Sequence, residues 1–212
     1  MNRRTTAATG RARVVVLAGP SGSGKSRLAF RLSATHGWPI LRLDDFYRDG
    51  DDPDLPCDDV LGIADWDDPA SWRGSDAVAA LVALVDTCHT VVPDYDISIS
   101  RAVGQSTISR EPADLILAEG IFAAEIIAAL QAAGVLHSAW VIRQPTALTF
   151  VRRLVRDLAE HRKPPLVLVR RGWALARAEE SVVRRQVALG GNPARPAEVE
   201  SAFAAVEGRP HP

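Results

Sequence analysis

The chain has 212 residues, a formal net charge of −1 and 47% apolar residues, which is typical of a globular domain. No apolar run approaches membrane-spanning length, and residues 1–13 lack the apolar core of a secretory signal. The two cysteines have neither metal-like spacing nor partners for a disulfide framework. We therefore expect a cytoplasmic protein, with a flexible arm at residues 1–12 and a single domain at 13–212.

The first third of the chain alternates strand and helix patterns. An apolar run predicts a strand over 13–19, buried on both faces. Periodic apolar residues predict a helix over 25–35, followed by a short strand over 38–43. Acidic and proline-containing residues 49–56 indicate a loop, and a further helix is predicted over 75–87.

The rest of the chain continues this alternation. We expect a strand at 90–92, a hairpin arm at 103–109, a buried strand at 114–118, a helix at 121–133 and a strand at 139–142. Helices follow over 146–161, 166–189 and 196–206, and the first of them is rich in arginine. The pattern predicts a three-layer α/β/α fold with a mainly parallel sheet and an arginine-rich helical lid at about 150–165.

A glycine-rich segment connects the first strand to the first helix. It matches the P-loop pattern, in which backbone N–H groups at a helix N-terminus hold phosphate oxygens. Lysine can reach the terminal phosphates there, and the serine after it can ligate Mg²⁺. Its eight residues are Gly19, Pro20, Ser21, Gly22, Ser23, Gly24, Lys25 and Ser26. The segment predicts binding of ATP with Mg²⁺.

Carboxylates follow two of the predicted strands. Glu119 closes a buried strand, from which it can face the ion held by Ser26. Asp44 and Asp45 follow the second strand, and an acid there can take the proton of an acceptor hydroxyl. Adjacent side chains on an extended backbone point in different directions, so we expect only one of the two aspartates to be catalytic.

Basic residues concentrate on the later helices. Arg153 and Arg156 are three apart and share a helix face, from which they could close over phosphates. Nucleic acid is an alternative target for such helices. The P-loop already implies a bound triphosphate, however, which favours arginines that close over phosphates. The sequence is also compatible with a homo-oligomer, and we expect no membrane partner.

Together these segments resemble the uridine kinase family of P-loop kinases. The resemblance covers about residues 13–163, in the family's order. Its segments are GPSGSGKS at 19–26, DDFYR at 44–48, DWDDPASW at 65–72, PDYDISISR at 93–101, ILAEGIF at 116–122 and RRLVRDLAEHRK at 152–163.

The resemblance implies a role for each matching residue. Asp44 is similar to the family's catalytic acid, and Glu119 to its magnesium-linked glutamate. Arg153 and Arg156 are similar to the lid arginines, Arg153 near the acceptor and Arg156 near the phosphates. The implied acceptor site consists of Tyr47, Asp67, Tyr95, Arg101 and Arg153.

One departure concerns base recognition. Family members usually carry a histidine that reads the pyrimidine where this chain has Ser100. Arg101 stands one position earlier than the corresponding arginine of the family. The resemblance therefore implies ATP-dependent phosphorylation of a small-molecule hydroxyl, most simply of a nucleoside such as uridine or cytidine. A pyridine riboside, pantothenate or a sugar phosphate remains an alternative acceptor, and a P-loop ATPase or nucleotide-dependent regulator is an alternative of another class.

Overall fold

The computed structural model describes residues 11, 13–57, 63–112, 114–143 and 180–204. Five strands form a parallel sheet in the order β2-β5-β1-β6-β7. They are β1 (Val14–Ala18), β2 (Ile40–Arg42), β5 (Ile116–Glu119), β6 (Leu136–Ile142) and β7 (Asn192–Ala194).

Helices cover both faces of this sheet. They are α1 (Lys25–His36), α2 (Gly74–Thr87), α3 (Ile127–Ala132), α4 (residues 180–188) and α5 (Pro196–Ala204). Successive residues of β1 point to opposite faces. Val14 and Val16 join a core with α2 and α3, whereas Val15 and Leu17 join a second core with α1 and α5. This arrangement confirms the predicted α/β class with a mainly parallel sheet.

A second, two-stranded antiparallel sheet is formed by β3 (His89–Asp96) and β4 (Arg101–Ser109). The predicted strand at 90–92 and the predicted arm at 103–109 are thus the two sides of one hairpin. Both strands are longer than expected, because the backbone pairs as far as Asp96 and Arg101.

Several predicted boundaries were wrong. The expected helix at 121–133 begins as a 3₁₀ turn over Ala123–Ile126 and is α-helical only over Ile127–Ala132. The expected strand at 38–43 is shorter, because Leu43–Phe46 form a 3₁₀ turn. Strand β7 was not expected, since its three residues carry no apolar run and become a strand by pairing with β6.

Some predictions fall wholly or partly outside the described residues. These are the arm at 1–12 apart from Arg11, the lid at about 150–165, the helix at 146–161 and the first part of the helix at 166–189. Arg11 itself lies 2.7 Å from Asp86 in an ion pair at the end of α2. Within the described ranges, no helix is both long and apolar enough to cross a bilayer.

Candidate active site

The glycine-rich segment forms a tight loop between β1 and α1. Gly19, Gly22 and Gly24 have φ angles of 147°, 80° and 91°, which side-chain-bearing residues rarely adopt. A Cβ on Gly19 would lie 2.6 Å from the Ile142 carbonyl oxygen, so this position also lacks room for one. The loop ends at the N-terminus of α1, where Lys25 is the first helical residue and is only 7% exposed. The backbone of this loop and the Lys25 side chain are therefore arranged as an anion-binding site requires.

Sheet register places Glu119 beside this loop. Glu119 pairs with Leu17 of β1 on one side and with Arg42 of β2 on the other, so the carboxyl ends of three strands meet. The Ser26 hydroxyl donates to Glu119 Oε2 at 2.9 Å. Burial raises the pKa of Glu119, while the Ser26 hydrogen bond and the charge of Lys25 act in the opposite direction. Lys25 and Glu119 are thus buried side by side at this corner, and the exposed Ser26 reaches it through its hydroxyl.

Asp44 approaches the same corner from β2. Its carboxylate adds to the rise in the pKa of Glu119, and its Oδ1 accepts a hydrogen bond from the Ile121 N–H at 3.3 Å. A Cβ on Gly120 would lie 2.9 Å from that oxygen, so the bare backbone allows the close approach. The buried Trp72 indole donates to the Leu43 carbonyl at 2.6 Å and so holds Leu43, the residue before Asp44, in place.

Asp45 points elsewhere. Its Oδ1 lies 3.6 Å from the Arg42 guanidinium, and burial raises the pKa of its carboxyl. The two adjacent aspartates therefore have different partners: Asp44 accepts from the backbone of Ile121 in the turn after β5, and Asp45 pairs with Arg42 at the end of the preceding strand.

Four aromatic rings gather next to Asp44. The Tyr47 ring centroid lies 5.8 Å from Trp66, 6.1 Å from Tyr95 and 5.9 Å from Phe122. Burial raises the pKa of Tyr47, and the charges of Asp44 and Asp67 add to the rise. Asp67 is exposed at the rim of this cluster. The structure thus brings Tyr47, Tyr95 and Asp67 together.

Arg101 lies at the tip of the hairpin, which is tied to the loop after Tyr47. Its side chain is 54% exposed, and its guanidinium pairs with Asp51. Ser100, in a left-handed conformation with φ of 51°, accepts at its carbonyl from the Gly50 N–H at 2.7 Å. The Tyr95 hydroxyl donates to the Arg48 carbonyl at 2.8 Å. Arg101 therefore reaches an acid of the neighbouring loop.

Two predicted site residues, Arg153 and Arg156, lie outside the described residues. Trp72 and Phe122 were not predicted, since a tryptophan and a phenylalanine in an apolar context give no signal beyond core packing.

The donor set suits Mg²⁺. Ser26 and Glu119 offer a hydroxyl and a carboxylate oxygen within hydrogen-bond distance of each other, the hard ligands that this ion prefers. No group of three or more histidine, cysteine or acidic side chains in the described part of the chain could form an all-protein metal cage. Such a pair fits an ion that completes its shell with water and phosphate oxygens.

Comparison with solved structures supports the fold. A structure described as a candidate fructose transport system kinase from Silicibacter sp. TM1040 is similar with a TM-score of 0.59 and 17% identity, over 87% of this chain and 88% of that one. A candidate uridine kinase from Bacillus stearothermophilus has a TM-score of 0.47 and 19% identity, over 70% and 79% of the two chains. The YGR205w protein has a TM-score of 0.40 and 22% identity, over 52% and 45%.

Comparison at the level of sequence found no matching family model and no matching curated protein. Of these three structures, the first has a TM-score above 0.5, and at 17% identity this similarity indicates a shared fold alone. Combined with the glycine loop and the parallel sheet, it leads to one conclusion. The chain has a P-loop kinase-like α/β fold.

Proposed function

We propose that the chain is a kinase that transfers the γ-phosphoryl group of ATP to a hydroxyl of a small molecule. One observation carries this proposal. Lys25, Ser26, Glu119 and Asp44 converge where three parallel strands end, beside a cluster of aromatic rings. An ATPase or regulator needs the first three of these residues and could use an acid to activate water, but it needs no cluster of aromatic rings to hold an organic acceptor.

Each residue then has a defined task. The loop backbone and Lys25 bind the phosphates of ATP. Ser26 and Glu119 would hold Mg²⁺, which when bound neutralises charge on the phosphate oxygens. Asp44 accepts the proton of the attacking hydroxyl. Arg153 and Arg156 are proposed to close over the reacting phosphate.

We further propose that the acceptor is a nucleoside such as uridine or cytidine. The Tyr47 and Tyr95 rings offer flat surfaces for a base, and Asp67 offers acceptors for sugar hydroxyls. The described arginines nearby are engaged: Arg101 pairs with Asp51, and Arg48 and Arg73 both pair with Asp52. This pairing favours an uncharged acceptor over a sugar phosphate or pantothenate. A pyridine riboside remains an alternative, because aromatic faces and acids also suit a cation.

A panel of acceptors tests the proposal. Purified protein is incubated with ATP, Mg²⁺ and one acceptor at a time: uridine, cytidine, a pyridine riboside, pantothenate, a hexose or a sugar phosphate. Mass spectrometry then detects the gain of one phosphoryl group. We expect a product with a nucleoside and none when EDTA removes the Mg²⁺. ATP hydrolysis without any phosphorylated acceptor would instead support the ATPase alternative.

A further inference from the structure

Helix α4 places a buried glutamine against the turn after β5, which contacts the candidate catalytic acid. Gln186 is only 4% exposed, and its Nε2 donates to the Ile121 carbonyl at 2.9 Å. The N–H of the same Ile121 residue donates to Asp44 Oδ1. Gln186 and Asp44 therefore hold Ile121 from its two backbone polar groups.

Among the described residues, the other end of this amide has no hydrogen-bond partner. Gln186 Oε1 is buried and makes no hydrogen bond among the described residues. An unsatisfied buried polar atom costs about 1–3 kcal/mol, whereas a typical hydrogen bond contributes only about 0.5–1.5 kcal/mol. An apolar side chain of the same length would avoid this cost but would leave the Ile121 carbonyl without its donor, so the two effects on stability roughly cancel. Stability alone therefore does not account for a glutamine here, which directs attention to what its single bond holds.

That bond acts where little movement is tolerated. Gly120 precedes Ile121 and is packed so closely that a Cβ there would lie 2.8 Å from Leu43 Cβ and 2.9 Å from Asp44 Oδ1. A shift of the 120–121 backbone toward Leu43 would therefore push against the Asp44 segment. Misplacing a reacting group by about 1 Å can reduce turnover by about 100-fold.

We propose that Gln186 is a positioning residue, which holds the Ile121 backbone and thereby keeps the Asp44 carboxylate in place to take the proton of the acceptor hydroxyl. It touches neither substrate and acts through one residue's backbone. The kinetic part of this inference rests on the proposed kinase function, whereas the structural part does not. Through the hydrogen bond between Gln186 and Ile121, α4 becomes part of the structure that supports the site.

The test compares two methionine variants on neighbouring residues. Gln186→Met keeps the length of the side chain and removes the donor. Arg185→Met is the matched control, because it removes the 2.9 Å ion pair between α4 and Glu125 but leaves the Ile121 contact intact. Should Gln186→Met not fold, Gln186→Asn draws the amide back by one methylene and provides the same comparison.

Hydrogen exchange and kinetics are the two measurements. For Gln186→Met we expect faster amide exchange over 43–47 and 119–122 with little change in melting temperature, and normal exchange there for Arg185→Met. We expect kcat to fall about three- to tenfold with the KM for ATP unchanged. Wild-type exchange in both segments of Gln186→Met would overturn the inference. If the wild type transfers no phosphoryl group, the proposed function fails, and the exchange result still decides whether Gln186 positions Asp44.

Discussion

The close packing around Gly120 predicts the effect of a single added methyl group. In Gly120→Ala, the new Cβ would lie 2.8 Å from Leu43 Cβ, whereas non-bonded carbon atoms normally sit at roughly 3.5–4.0 Å. The two atoms must therefore separate by about 0.7 Å or more. Leu43 is 1% exposed and cannot swing into solvent, so the backbone beside Asp44 has to move.

This displacement has a cost in stability and a cost in turnover. Overpacking a core by one methyl group destabilises by about 1–3 kcal/mol. A shift approaching 1 Å at a reacting group lowers the rate by about 10- to 100-fold. We therefore expect Gly120→Ala to lose about 1–3 kcal/mol in the free energy of unfolding and about 10- to 100-fold in kcat.

The assay pairs urea denaturation with initial rates of phosphoryl transfer. Gly104→Ala is the matched control, because a Cβ there meets nothing closer than Asp94 Oδ2 at 3.5 Å, an ordinary contact. The control should match the wild type in both measurements. Wild-type stability and turnover in Gly120→Ala would refute the idea that this glycine keeps Asp44 in place.

Two further predictions concern residues around this turn, and a third concerns Arg156, which lies outside the described residues. Burial raises the pKa of Glu119 above the ordinary 4.5, so the native state holds this proton more tightly than the unfolded chain. The stabilisation from this proton is complete below pH 4.5 and is lost as the pH rises through the raised value. The unfolding free energy of Glu119→Gln minus that of the wild type should therefore increase with pH in this window, in urea titrations with the exposed Glu111→Gln as control; a flat difference would contradict the burial argument. Trp72→Phe leaves the Leu43 carbonyl without its 2.6 Å donor and should cost about 1–3 kcal/mol, with faster amide exchange over 43–46; unchanged exchange there would show that the indole does not hold this turn. Arg156→Ala should lower kcat with little change in melting temperature, because the arginine is proposed to act on the phosphates. A kcat equal to that of the wild type would contradict this role of Arg156.

The sheet was largely predictable because its strands are buried on both faces. Apolar runs marked β1, β5 and most of β6, and the glycines between β1 and α1 marked the loop. Strand β7 could not be predicted, because Asn192–Ala194 gains its conformation from an edge that β6 provides. The 3₁₀ turn over Leu43–Phe46 was missed for a similar reason, since Trp72 and Gly120 hold it from distant parts of the chain.

The site was predictable where chemistry demands a residue type at a fixed spacing. Lys25 and Ser26 belong to a local pattern, and Glu119 and Asp44 stand at strand ends. The pattern could not reveal which partner each aspartate has, because that depends on the turn after β5. It also gave no sign of Gln186, whose contact with Ile121 spans 65 residues of sequence.

Phosphoryl transfer by aspartate variants tests the central claim most directly. Asp44→Asn and Asp45→Asn make the same chemical change at adjacent positions, with MgATP affinity measured alongside turnover. We expect Asp44→Asn to lose about 10²- to 10⁴-fold in kcat while it still binds MgATP, and Asp45→Asn to stay within about threefold of the wild type. Wild-type turnover in Asp44→Asn would contradict the claim that this carboxylate accepts the proton of the acceptor hydroxyl.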